Sequence, residues 1–300
     1  MKRAPSLRLM AVTAHPDDES LGFGGTLARY AAEGVEVSLV VGTRGERGRY
    51  GDGSEPHPGE EALGRIREEE ARAAAEILGV RHVRFLGYLD RELDRAPHAE
   101  AAQAVAAHIR ELRPDVVVTF DPFGAYGHPD HIAIAQHATA ATVMAASAGD
   151  DDVSPHQVRK LYYVAWTDRV WSHYQKVFKV LSTRVDEEER LSVSWPEWAV
   201  TTTADAHDHW ETVWQAVRCH RSQIAQYGRL EALTPEDHRG LWGPQEYYRV
   251  FSLVNGGRDR ERDLFEGLRC RAADPSHDNV EGNYEHGSPY RLLAGASHLS

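Results

Sequence analysis

Over the first 165 residues, short apolar runs alternate with stretches whose apolar positions recur at helical spacing. "LRLMAVTA" (7–14), "VEVSLVVGT" (35–43), "VRFLGY" (83–88), "DVVVTF" (115–120) and "KLYYVAW" (160–166) are the length of strands and end at turn-forming or polar residues. Four helices are predicted between them. "GTLARYAAEG" (25–34) closes on Gly34 as a C-cap, and "EALGRIREEEARAAAEILGV" (61–80) places Leu63, Ile66, Ala74, Ile77 and Leu78 near 3.6 spacing. "PHAEAAQAVAAHIRELRP" (97–114) opens with Pro97 and stops before Pro114, and "HPDHIAIAQHATAATVMAAS" (128–147) follows a strand and a glycine-bearing turn. Strands and helices in alternation imply βαβ units and a mostly parallel sheet flanked by helices, an α/β fold.

The polar connection "AGDDDVSPHQ" (148–157) marks a change in character. Residues 1–150 are expected to form the catalytic core, and 151–255 a C-terminal elaboration of the same domain that completes the sheet and the substrate site. All seven tryptophans, Trp166 to Trp242, lie in this second half, where "DAHDHWETVWQAVRCHRSQ" (205–223) predicts one more amphipathic helix. From 256 to 300 charges, glycine, proline and histidine dominate, which predicts a loosely held tail around a short helix near "RDLFEGL".

The 300 residues carry 46 acidic against 34 basic side chains, a formal net charge of −12. That balance argues against nucleic acid or an anionic membrane as partner and suits a small-molecule ligand. Cys219 and Cys270 form no paired spacing, so a reducing, cytoplasmic location is expected. The start "MKRAPSLRLMAVTA" imitates a signal peptide, but Arg8 interrupts its apolar stretch, which reads instead as the first strand. No run of about 18 apolar residues spans a bilayer.

The chemistry concentrates at two strand ends. "AHPDDE" (14–19) terminates the first strand, and "DPFGAYGHPDH" (121–131) terminates the fourth. Three adjacent carboxylates are costly to hold together unless water, backbone donors or a cation compensates. In an open parallel sheet both ends face one crevice, so His15, Asp17, Asp18, Glu19, Asp121, His128, Asp130 and His131 are candidates for a common site. Two imidazoles and a carboxylate with an open position suit hydrolytic zinc, and the same set holds non-haem iron. His15, Asp18 and His131 form one such combination, leaving Asp17 beside the metal for proton transfer. Each HPD segment also fits an ordinary turn, with proline fixing φ and aspartate capping a helix.

"AHPDDESLGFGGTLARY" and "DPFGAYGHPDHIA" resemble the two signature motifs of the LmbE-like, or PIG-L, family of zinc-dependent N-acetylglucosaminyl deacetylases, which includes the mycothiol-pathway deacetylase and amidase. The likeness extends through "GTRGERG", "RIREEEARAAAEILGV", "GYLDREL" and "VRCHRSQ". It implies a Rossmann-like scaffold with His15, Asp18 and His131 on zinc, or ferrous iron in vivo. It further implies Asp17 as general base and acid, and a positively charged His128, oriented by Asp130, against the oxyanion. Arg67 and Asp90 match substrate contacts, and Tyr126 matches a mobile tyrosine that polarises the scissile carbonyl. The expected substrate is an N-acylated amino sugar such as an N-acetylglucosaminide, with a homo-oligomer left open. An amidase on thiol conjugates, an iron(II) oxygenase and a non-catalytic sugar-binding module are the alternatives. Gly22 lacks the polar or cationic side chain that the two mycothiol enzymes carry nearby, which counts against mycothiol-type substrates and leaves bacillithiol-like precursors, chitooligosaccharides or an antibiotic glycoside open.

Other positions have two readings. Glu19 is either a support for the ligands or a helix cap. The glycines of "GFGG" lack GxGxxG spacing and read as close packing of helix on sheet. The loop "TRGERGRYGDG" (43–53) is a lid, an anion receptor or solvated surface, and Arg67 beside Glu68, Glu69 and Glu70 also fits a salt-bridged surface. His137 is expected to face away from the site, while His220 and Gln223 are candidates to reach it.

Overall fold

A computed structural model describes residues 6–148, 153–178, 182–227, 229–257 and 259–269. The five predicted strands are β1 (Arg8–Thr13), β2 (Glu36–Thr43), β3 (His82–Tyr88), β4 (Val116–Thr119) and β5 (Lys160–Val164), joined in parallel in the order β3-β2-β1-β4-β5. Their central members, from Leu9 to Val12 and Val116 to Val118, are fully buried, as strands covered on both faces must be. The second half adds β6 (Ser182–Val185) and β7 (Glu188–Leu191), which form a separate hairpin, then β8 (Thr202–Asp205) and β9 (Pro244–Ser252). β9 runs antiparallel to β5 and β8 antiparallel to β9, so the sheet has seven strands among the described residues.

The helices are α1 (Asp18–Leu21), α2 (Gly24–Ala32), α3 (Glu60–Ile77), α4 (His98–Leu112), the one-turn α5 (Gly124–Gly127), α6 (Pro129–Met144), α7 (Asp168–Phe178), α8 (Trp210–Val217), α9 (Arg221–Ile224) and α10 (Pro235–Trp242). α4 packs on α6, and α8 packs on α2 and α3. Ala102, Val105, Ala106 and Ile109 supply the buried i, i+3, i+4, i+7 stripe of α4. The "GFGG" glycines serve packing: a Cβ on Gly25 would stand 2.4 Å from the Trp242 carbonyl oxygen and 3.0 Å from the Ala206 Cβ. None of the helices is long and apolar enough to cross a membrane among the described residues.

Two predicted elements differ. The helix expected over 205–223 is broken, because His220 leaves helical geometry (φ −78°, ψ 59°) between α8 and α9 and turns its ring into the interior. Residues 259–269 are not loose, and where the helix is expected near 262–268 the chain makes a run of turns over 264–268. Leu264 and Phe265 are fully buried, and Glu261 accepts hydrogen bonds from Lys160 Nζ at 2.6 Å and Tyr162 at 2.7 Å. The tail expected from 270 to 300 lies outside the described residues.

Candidate active site

β1 and β4 are neighbours, and the chain leaves them toward opposite sides of the sheet. Their carboxyl ends therefore border the switch-point crevice where ligands settle in this architecture. Both predicted motifs emerge there. His15 Nδ1 lies 3.2 Å from His131 Nε2, His131 Nε2 lies 3.4 Å from Asp18 Oδ1, and His15 Nδ1 lies 3.7 Å from Asp18 Oδ2. All three residues are buried. Ligand atoms about 2.0–2.2 Å from a tetrahedral zinc ion stand roughly 3.3–3.6 Å apart, so these donors fit a shared divalent cation.

Proton placement supports that reading. His15 Nε2 lies 3.1 Å from Asp130 Oδ2 and 3.2 Å from Asp90 Oδ1. Ionised carboxylates only accept, so Nε2 carries a proton; Nδ1 faces His131 and Asp18 and is the nitrogen left to bind a cation once its own proton is lost. Burial pulls His15 down, but hydrogen bonds to Asp130 and Asp90 and the charge of Asp18 outweigh it and raise its pKa to about 10. Burial pushes Asp18 up to about 7 against the opposing pull of His15. The cluster favours positive charge at the point where the three donors meet. Asp18 Oδ2 also accepts the Ala14 and His15 backbone N–H groups at 3.1 and 2.8 Å, which fixes its carboxylate at the strand exit.

Asp17 sits at φ 105°, ψ −26°, a conformation non-glycine residues rarely adopt and one that recurs at functional sites. Its Oδ2 accepts from the Tyr227 hydroxyl at 2.7 Å and from Arg67 Nη2 at 3.2 Å. The Asp17 backbone N–H donates to Glu19 Oε2 at 2.9 Å, and Glu19 Oε1 meets His220 Nε2 at 2.7 Å. Glu19 is thus a support for the site, and its carboxyl is held low because the charge and hydrogen bonds of His220 overcome the cost of burial.

His128 caps α6, with Nδ1 accepting the Asp130 backbone N–H at 3.2 Å. The Asp130 carboxylate expected on His128 instead holds His15 and accepts the Arg91 N–H at 2.7 Å. With no cation in place, burial and the positive charge of His15 push His128 down to about 4 against the opposing pull of Asp130 and Asp90.

A cavity of about 220 Å³ opens over these groups, lined also by Tyr126, Leu21, Trp166 and Tyr174. Tyr126 stands with its ring 5.3 Å from that of His131. Arg67 and Asp90 border the cavity, yet their polar atoms are turned to the protein. Arg67 donates to Pro16 O at 2.5 Å and Gly45 O at 2.8 Å as well as to Asp17, and Asp90 Oδ2 accepts the Arg47 N–H at 3.2 Å. Gly45 (φ 62°) makes room for this: a Cβ there would stand 2.3 Å from Arg67 Nη1. The 43–53 loop is therefore a cradle for Arg67, pinned by Gln223 Nε2 on the Arg49 carbonyl at 2.7 Å.

Asp121 stays out of the donor cluster, because Oδ1 accepts the Ala125 N–H at 2.8 Å and Oδ2 accepts Trp195 Nε1 at 2.7 Å. His137 lies away from the cavity against His98. Sequence reasoning missed Tyr227, which sits far from either motif and carries no local pattern, and gave no individual role to Trp166, the last residue of the fifth apolar run.

A family model described as "PIG-L: GlcNAc-PI de-N-acetylase" matches residues 10–142. A Thermomonospora curvata protein named 1D-myo-inositol 2-acetamido-2-deoxy-alpha-D-glucopyranoside deacetylase is 36% identical, over 87% of this chain and 97% of its own length. The chain belongs to the PIG-L family. A Kineococcus radiotolerans protein of the same name is 35% identical over 87% of this PIG-L chain and 83% of its own length. Among solved structures, the conserved protein TT1542 from Thermus thermophilus superposes with a TM-score of 0.59 at 27% identity, covering 83% of this chain and 97% of that one. The PIG-L match contains both strand-end motifs, and the names of these relatives agree with the expected removal of an acetyl group from an amino sugar.

Proposed function

We propose that this PIG-L member is a zinc-dependent hydrolase that removes an acetyl group from an N-acetylglucosaminide. The observation that carries the reading is the convergence of His15 Nδ1, His131 Nε2 and Asp18 within 3.2–3.7 Å, with the Asp17 carboxylate separately held beside them. Bound zinc would acidify a water and polarise the amide carbonyl. Asp17 takes the proton of that water as the new C–O bond forms, then returns it to the nitrogen as the C–N bond breaks, giving acetate and a free amine. His128 offers its Nε2–H to the carbonyl oxygen as charge develops there, with Tyr126 alongside, while Asp130 and Asp90 keep His15 in the tautomer that presents Nδ1. The aromatic wall of Trp166 and Tyr174 suits the apolar face of a sugar ring. The relatives' name keeps an inositol aglycone in view, against the direction drawn from Gly22, whose missing side chain leaves the Trp166 ring 3.4 Å from where its Cβ would be.

Purified protein, assayed for amine release from a panel of N-acetylated glucosaminides with metal analysis on the same sample, tests the reading. Release that disappears on chelation and returns with zinc is expected; turnover that needs oxygen and a 2-oxoacid would replace it with the oxygenase.

A further inference from the structure

Segment 220–227 reaches the active site from the far end of the chain at several points. His220, fully buried, holds Glu19; Ser222 donates through N and Oγ to Glu70 at 2.7 Å each; the Ser222 carbonyl accepts the Gly51 N–H at 2.8 Å; and Tyr227 donates to Asp17. These contacts anchor the segment to α1, α3 and the loop that cradles Arg67.

Asp17 needs such anchoring. It is a carboxylate beside another carboxylate, on a backbone at φ 105° that its residue type disfavours. Two side chains, Tyr227 and Arg67, approach the same oxygen, Oδ2, while Glu19 takes the Asp17 backbone N–H. A carboxylate pinned through one oxygen presents the other in a fixed direction, which is what a group exchanging a proton with both water and a departing amine requires.

Resting on the deacetylase reading, we infer that Tyr227 and Arg67 are positioning residues for proton transfer: they fix Asp17 through Oδ2 and leave Oδ1 to move the proton, with the His220–Glu19 pair holding its backbone. Arg67 then acts on catalysis through Asp17 and not through a substrate hydroxyl. Tyr227 does the same through its hydroxyl, although its ring forms part of the cavity wall.

The test uses the zinc-loaded full chain. Tyr227→Phe removes one oxygen and should lower kcat about 10- to 100-fold, the range for one hydrogen bond to a charged group, with KM and zinc content unchanged. In an Asp17→Asn background the same substitution should lower the residual rate by no more than about 2-fold, because it acts through the carboxylate already removed. His220→Gln, which keeps a donor for Glu19, should retain more activity than His220→Leu at equal zinc content. Losses that multiply fully in the double variant, or a raised KM with kcat intact, overturn the inference. If wild type releases no amine from any sugar, the deacetylase reading fails by itself, and crystal structures of zinc-loaded wild type and Tyr227→Phe decide the positioning separately. An Asp17 carboxylate turned from its wild-type direction supports the inference; one that has not moved refutes it.

Discussion

Two buried charged clusters divide the sheet between them, and they solve opposite problems. At the β5–β9–β8 side, Glu261 accepts from Lys160, Asn255 and Arg249 through Oε1 at 2.6, 2.5 and 2.9 Å, and from Tyr162 and Thr202 through Oε2 at 2.7 and 2.6 Å. Every contact pairs a donor with an acceptor, and cations stand beside the carboxylate. At the β1–β4 end, two imidazole nitrogens face each other with a carboxylate beside them, and Asp17, Asp90 and Asp130 add negative charge. A cluster complete in its own atoms is a latch; one that becomes complete only with a cation is a site. Burial alone does not separate the two, since both are nearly sealed from solvent.

The contrast is sharpest when each cluster loses a member. His15→Ala should abolish both bound zinc and amine release while leaving the fold intact, read by metal analysis and circular dichroism on one sample. At the latch, Glu261→Ala leaves Lys160 buried without its carboxylate, and a loss of about 3–5 kcal/mol is expected in denaturant melts. Folded Glu261→Ala should still bind zinc with wild-type stoichiometry. If instead it loses metal and keeps stability, the division of roles is wrong. His128→Ala, between these extremes, should lower kcat about 10²–10³-fold with zinc retained, as for one oxyanion donor. The smallest effect concerns pH. Burial raises the Glu261 carboxyl, but Lys160, Thr202, Asn255 and Tyr162 outweigh it and hold it below its ordinary value. The latch is therefore at full strength above that ordinary value, about 4.3, and is lost as pH falls through the lower folded value. The Tm difference between wild type and Glu261→Gln should accordingly narrow below about pH 4, and a constant difference would deny the latch its charge.

The site was legible in the sequence to the extent that its parts are local. His15 and Asp18 share a single turn after β1, and His128, Asp130 and His131 open α6, so strand ends and spacing carry them together. The buried parallel strands were legible for a similar reason, as continuous apolar runs. What escaped depends on contacts made across the chain. Tyr227 reaches Asp17 over 210 positions, and the Glu19 partner of His220, itself a candidate for the site, lies 201 positions away. A lone tyrosine gives no sign of such a partner, and a histidine in an amphipathic stretch does not say which residue it will meet. The same long-range demand explains the broken helix at 218–220, where burying His220 prevails over local periodicity. It also explains why residues 259–269, polar in composition, are fastened to β5 through the Glu261 carboxylate and the Leu264 and Glu266 carbonyls.

The central claim is that one divalent cation is shared through the Nδ1 face of His15. A crystal structure of zinc-soaked protein with anomalous data at the zinc edge tests it most directly. A single ion bonded to His15 Nδ1, His131 Nε2 and an oxygen of Asp18, and still present in Asp17→Asn, is the predicted result. An ion on the opposite ring nitrogen between Asp90 and Asp130, or none bridging His15 and His131, would contradict it.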